Sequence, residues 1–166
     1  MQAYEIFHRL SENLQCGILE DLLQQQPQVY RGAAQVLSTR RNLRPVFLER
    51  KPRRERSLWI AQSLGRKANN DLATEALQFW LLDCRLPMVS HFLDRLEIAH
   101  DGKGVIADTP SEPADLVASA VDSLLQAFPA EEVAVYLNLF VEMDPESWPV
   151  LRGLLSSRPE LQLSLS

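Results

Sequence analysis

Leu116-Val117-Ala118-Ser119-Ala120-Val121-Asp122-Ser123-Leu124-Leu125-Gln126-Ala127-Phe128-Pro129 repeats its apolar residues every three or four positions and ends on a proline. A helix completes a turn in about 3.6 residues, so this spacing gathers Leu116, Val117, Ala120, Val121, Leu124, Leu125 and Phe128 into one broad apolar stripe. Pro129 lacks the N–H that an interior turn requires, so it stops this helix and suits the first turn of the next. That next helix carries Glu131 and Glu132 at its start, where the helix dipole favours anions. Its inward stripe is Val133, Tyr136, Leu137, Phe140 and Val141. Two apolar helices joined at a proline make a helical hairpin, and the rest of the chain reads the same way.

Toward the C-terminus, Asp144-Pro145 restarts a helix around Trp148, Leu151, Leu154 and Leu155 that ends at Arg158-Pro159. Residues 161–166 are expected to form a loosely held tail. Toward the N-terminus, Pro87 opens a helix with Met88, Val89, Phe92, Leu93 and Leu96 inward, and Asn69 or Asn70 caps the one before it. A further helix runs from Arg53 to about Leu64, with Gly65 placed as its C-terminal cap. Pro45 and Pro52 bias their preceding residues toward extended backbone, so Val46, Phe47 and Leu48 read as a buried extended link. Before it lies a stripe through Tyr30, Ala33, Ala34 and Leu37. The first thirty residues give two short helices, with Gly17 between their apolar sets and Ser11 able to cap a restart.

The expected fold is therefore all-α, a compact multi-helix domain over 1–160 with eight or nine short helices in consecutive hairpins, solenoid-like or an orthogonal bundle. No tetratricopeptide, ankyrin or leucine-rich period recurs, so any solenoid likeness is architectural. One segment breaks the helical period. Ile98 and Ile106 flank Asp101-Gly102, a strong turn dipeptide, and can form a minimal β-hairpin across 98–107.

Apolar residues are 46% and charged residues 23% of the chain, which places it among ordinary globular domains able to bury a core without staples. The longest apolar run is four or five residues, far short of the roughly 20 needed to span a bilayer. The first residues show neither a basic nor an apolar leader region, so a cytoplasmic location without membrane association is expected. Cys16 and Cys84 are then expected to be reduced thiols, too few for a disulfide framework.

Charge is distributed unevenly. Residues 31–67 hold eleven Lys or Arg against Glu49 and Glu55, whereas residues 68–166 hold five against sixteen Asp or Glu. The densest run is Arg50, Lys51, Arg53, Arg54 and Arg56, read as the candidate binding patch, with Arg40, Arg41 and Arg44 upstream. Arginine's planar fork suits carboxylate or phosphate. The leading expectation is a non-catalytic helical interaction module, in which this patch meets a protein partner or the acidic helix faces of another copy. The alternative is a nucleic-acid-binding regulator using the same patch, although no helix-turn-helix signature or RNA-binding motif accompanies the charges. The plain alternative is that these cations sit in water or pair with the chain's own acids.

Catalysis and metal binding find weaker motifs. Cys84, His91 and His100 lack any zinc-ligand spacing, so no metal and no cofactor is expected. His100-Asp101-Gly102-Lys103-Gly104 lacks the spacing of a phosphate-wrapping loop. A small enzyme with a cleft near His100 stands as the third reading, with no catalytic residue assigned.

Overall fold

The computed structural model describes residues 1–106 and 110–164. Ten α-helices are present among the described residues, which bears out the all-α reading. The chain divides into two compact units, Gln2–Cys84 with the chain end from Ser164, and Arg85–Leu163 with Met1.

The first unit is built from six helices. In α1 (Ala3–Arg9), the Glu5 carboxylate accepts from the Gln2 N–H at 2.9 Å, the return half of a capping box. Ser11 caps α2 (Glu12–Gln25), its Oγ accepting from the Leu14 N–H at 3.3 Å. Gly17, read as a boundary, lies inside α2, and the break falls instead at Leu10-Ser11. Pro27 begins α3 (Pro27–Arg40). Asn42 then takes a φ of 53°, and the Leu43 N–H returns to the Ser38 carbonyl at 2.8 Å, a left-handed stop that reverses the chain.

Val46, Phe47 and Leu48 do not form an extended link. Pro45 starts a short helix, α4 (Pro45–Glu49), because proline's fixed φ suits a first helical turn as well as an extended segment. Leu48 is buried, whereas Val46 and Phe47 are exposed. After α4 come α5 (Arg53–Leu64), a 3₁₀ turn over Lys67–Asn69, and α6 (Asn70–Phe79), which runs on into a π-helical turn at Trp80–Cys84. The core is formed where α2 packs on α3, α5 and the π turn, with Ile18, Leu22, Leu37, Ile60 and Trp80 fully or nearly fully buried.

Gly65 is the C-cap of α5, its N–H donating to the Ala61 carbonyl at 3.0 Å, with a φ of −69° and so outside the left-handed region. A Cβ at Gly65 would lie 3.3 Å from both the Cα and N of His8, so the glycine admits the backbone of α1 beside the end of α5.

The second unit comprises α7 (Leu86–Arg95), α8 (Ala114–Ala127), α9 (Ala130–Met143) and α10 (Pro149–Ser157), then a 3₁₀ turn over Pro159–Leu161. Its core holds an edge-to-face aromatic group, with Phe92 5.6 Å from both Tyr136 and Phe140, and Phe140 4.7 Å from Trp148. Leu161 and Leu163, assigned to a loose tail on sequence, are buried here; Leu165 and Ser166 of that tail lie outside the described residues.

The hairpin expected across 98–107 is absent among the described residues, with Ala107 outside them. Glu97 adopts a φ of 58° and Ile98 bonds back to the Leu93 carbonyl, ending α7 in a left-handed stop. The Asp101 carboxylate then accepts from the Lys103 and Val105 N–H groups at 2.7 and 3.1 Å. A side chain thus takes the amides that a strand pairing would use.

Candidate basic and apolar surface

The five cations of the candidate patch surround the joint between α4 and α5, but they do not act alike. Arg56 folds back over that joint, its guanidinium donating to the Glu49 and Lys51 carbonyls at 3.5 and 3.4 Å. Arg54 donates to Asn13 Oδ1 of α2 at 3.2 Å. At about 100° per residue, Arg54 and Arg56 point some 160° apart around α5. Arg50, Lys51 and Arg53 are exposed. Among the described residues, none of the five has a carboxylate within 4.0 Å.

The upstream arginines differ again. Arg40 is held by a two-bond fork on Asp71 at 3.0 and 3.2 Å and by Asn69 Oδ1 at 2.7 Å. The Arg40 hydrogen bond draws the Asp71 carboxyl below its ordinary range. Arg41 lies 5.9 Å above the Trp59 ring. Arg44 is exposed and forms no ion pair among the described residues.

Between these cations in sequence lies an exposed apolar stretch, of which Val46 and Phe47 are expected from the sequence to be buried. Leu43, Val46 and Phe47 are 40%, 43% and 56% exposed, and Leu48 is the buried side chain of α4. Val46 and Arg50 are one helical step of four apart, so they share the side of α4 that faces away from Leu48. The candidate surface is therefore the exposed Leu43, Val46 and Phe47, with the exposed cations Arg44, Arg50, Lys51 and Arg53 before, between and after them along the chain.

Burial pushes the Cys16 thiol up, with the Arg54 charge opposing, so the thiolate is disfavoured beside the patch. Cys84 closes the π turn of the first unit. In the second unit, His91 Nε2 is 2.7 Å from Ser123 Oγ, and its ring meets Phe128 edge-on at 5.7 Å. Sequence spacing gave no hint of that pair, since the residues are 32 apart. No group of three or more His, Cys, Asp or Glu stands ready for a metal ion among the described residues.

His100 has both ring nitrogens engaged. Its Nδ1 accepts from the Gly102 N–H at 3.1 Å, which leaves Nε2 to donate to Asp94 Oδ1 at 2.8 Å. Asp94, not the adjacent Asp101, is its partner, and the two close the loop after α7. A groove of about 450 Å³ lies beside this loop, lined by Leu96, Ile98, Ile106, Pro110 and Leu116 among others. Among the described residues, Glu97 is the only ionisable one in its lining, so convergent polar groups are lacking there.

No known protein family, curated protein or solved structure matches this chain.

Proposed function

We propose that the chain is a non-catalytic interaction module that receives a protein partner on the Phe47 surface. The observation that carries this is the combination at and just before α4: three exposed large apolar side chains in a stretch of cations that have no carboxylate of the described residues within 4.0 Å. Apolar surface of this kind gains free energy when covered, at about 25 cal/mol per Å². Aromatic residues and arginine are the types enriched in interface centres, while lysine is depleted. Fourteen of the seventeen basic residues are arginine, in keeping with that preference. An acidic partner surface with a bulky apolar side chain is the complement.

The test is affinity capture from the native host with the wild-type chain, Phe47→Ala, and Arg50→Glu/Arg53→Glu. A protein retained by the wild type and lost with both variants is the expected result. Identical captures by all three chains would remove the proposal.

A second reading gains from the exposure of Phe47, because a free aromatic ring among arginines is also a base-stacking platform. If Arg44, Arg50, Lys51 and Arg53 met four phosphates of a single strand, log K would fall against log salt with a slope of about −2.8. Anisotropy with labelled single-stranded DNA and RNA at low salt separates the two. Binding that Phe47→Ala leaves unchanged would count against stacking.

A further inference from the structure

The two most exposed large apolar side chains among the described residues are Met143, at 72%, and Phe47, at 56%. They lie in surroundings of opposite charge. The unit containing Phe47 carries twelve basic against nine acidic residues, and the unit containing Met143 carries five against thirteen. Met143 ends α9, where the carbonyl end of the helix dipole adds negative potential. Asp144 and Glu146 come directly after it, and neither has an ion-pair partner among the described residues. Glu142 takes the Met1 ammonium at 2.8 Å, and Arg152 reaches the Pro145 carbonyl at 3.5 Å. Val150 adds further exposed apolar area to the same unit.

We infer that the partner of the Phe47 surface is a second copy of this chain, which seats its Met143 corner there. The inference rests on the reading of the Phe47 surface as an interaction site. Met143 meets the ring of Phe47, with Val46 and Leu43 beside it, while Asp144 and Glu146 face Arg50, Lys51 and Arg53. A flexible thioether against an aromatic ring is a favourable contact that tolerates imperfect fit. The two surfaces differ, so the contact is head-to-tail, and each added copy exposes a fresh Met143 corner and a fresh Phe47 surface. Such a contact either closes into a ring or extends as a chain.

Sedimentation equilibrium of the full chain tests this across concentration and salt. The average mass should rise with concentration at about 0.01 M ionic strength and fall to the monomer at about 1 M, as the screening length shrinks from about 30 to about 3 Å. Phe47→Ala/Arg50→Glu and Met143→Ala/Glu146→Lys should each weaken association at least about tenfold. Mixed together, the two variants should associate again, since one keeps its Met143 corner and the other its Phe47 surface. A mixture that stays monomeric, or a wild type monomeric at low salt and high concentration, overturns the inference. In that second case a host protein lost from both capture variants would leave the module reading standing with a different acidic partner.

Discussion

Phe47 and Leu48 are neighbours on α4 that point about 100° apart around it: Leu48 is 6% exposed and fixes the helix to its unit, while Phe47 is 56% exposed and touches solvent. Stability and, on the proposed reading, recognition therefore fall to adjacent residues and separate by substitution. Leu48→Ala is expected to lower unfolding free energy by about 2 kcal/mol or more, the usual cost of emptying a buried leucine site. Phe47→Ala should stay within about 0.5 kcal/mol of wild type. Urea unfolding of both variants is the check, and equal losses would contradict the division.

The cations around the joint should separate in the same manner. Arg56 spans carbonyls at both ends of the α4–α5 link, so Arg56→Ala is expected to cost about 1 kcal/mol of stability. Arg53→Ala should leave stability unchanged and weaken partner capture. Thermal melts beside capture yields distinguish these outcomes.

At the close approach of α1 to α5, Gly65→Ala is expected to destabilise by about 1–3 kcal/mol, the range for overpacking. Its backbone dihedrals suit alanine, so the whole effect comes from the His8 backbone 3.3 Å from the new methyl. A neutral or stabilising Gly65→Ala would show that α1 yields without cost.

Glu112 supplies the N-terminal cap of α10 from 38 residues upstream, accepting from the Val150 and Leu151 N–H groups at 3.0 and 2.8 Å. Glu112→Ala should cost about 1 kcal/mol, as loss of other N-caps does. Hydrogen exchange at those two amides should accelerate, and Glu112→Gln should restore part of the protection.

The Arg40–Asp71 fork sets a pH dependence. The folded state lowers the Asp71 pKa, so the pair stabilises above the ordinary aspartate value near 3.9 and loses that contribution as pH falls toward the depressed folded value. Melting temperatures of wild type and Asp71→Asn should therefore differ at neutral pH and converge in acid. The gap should be small, because both side chains are largely in water. A gap that widened in acid would reverse the assignment.

Much of the helical architecture was readable from particular residues. The three-or-four spacing of Leu116 to Phe128, the stop at Pro129, and the cap at Ser11 each rest on local backbone physics, and each is found in place. Helix α4 was not readable because five residues define no period, and Pro45 serves an extended link or a first helical turn equally well. Gly65 is found at the C-cap position that its place after Leu64 predicts, but the close approach of His8 that crowds any side chain there comes from far away in sequence. The basic run announced the candidate surface but not its working members. Arg50 and Arg56 are chemically identical, and only the path of the backbone between α4 and α5, which the sequence pattern did not reveal, makes one a clamp and leaves the other in solvent. The apolar half of the surface was hidden for a related reason: hydrophobic residues are assigned inward by default, and nothing local marks the exception.

Helix α4 is gripped twice, by Leu48 beneath it and by the Arg56 guanidinium across the carbonyls at its exit. On the proposed reading, such a ledge should present Phe47 to a partner already folded, so that no folding step intervenes between collision and capture. Differences in affinity among ligands of this ledge should then register as differences in residence time, with arrival rates nearly constant apart from the pull of charge.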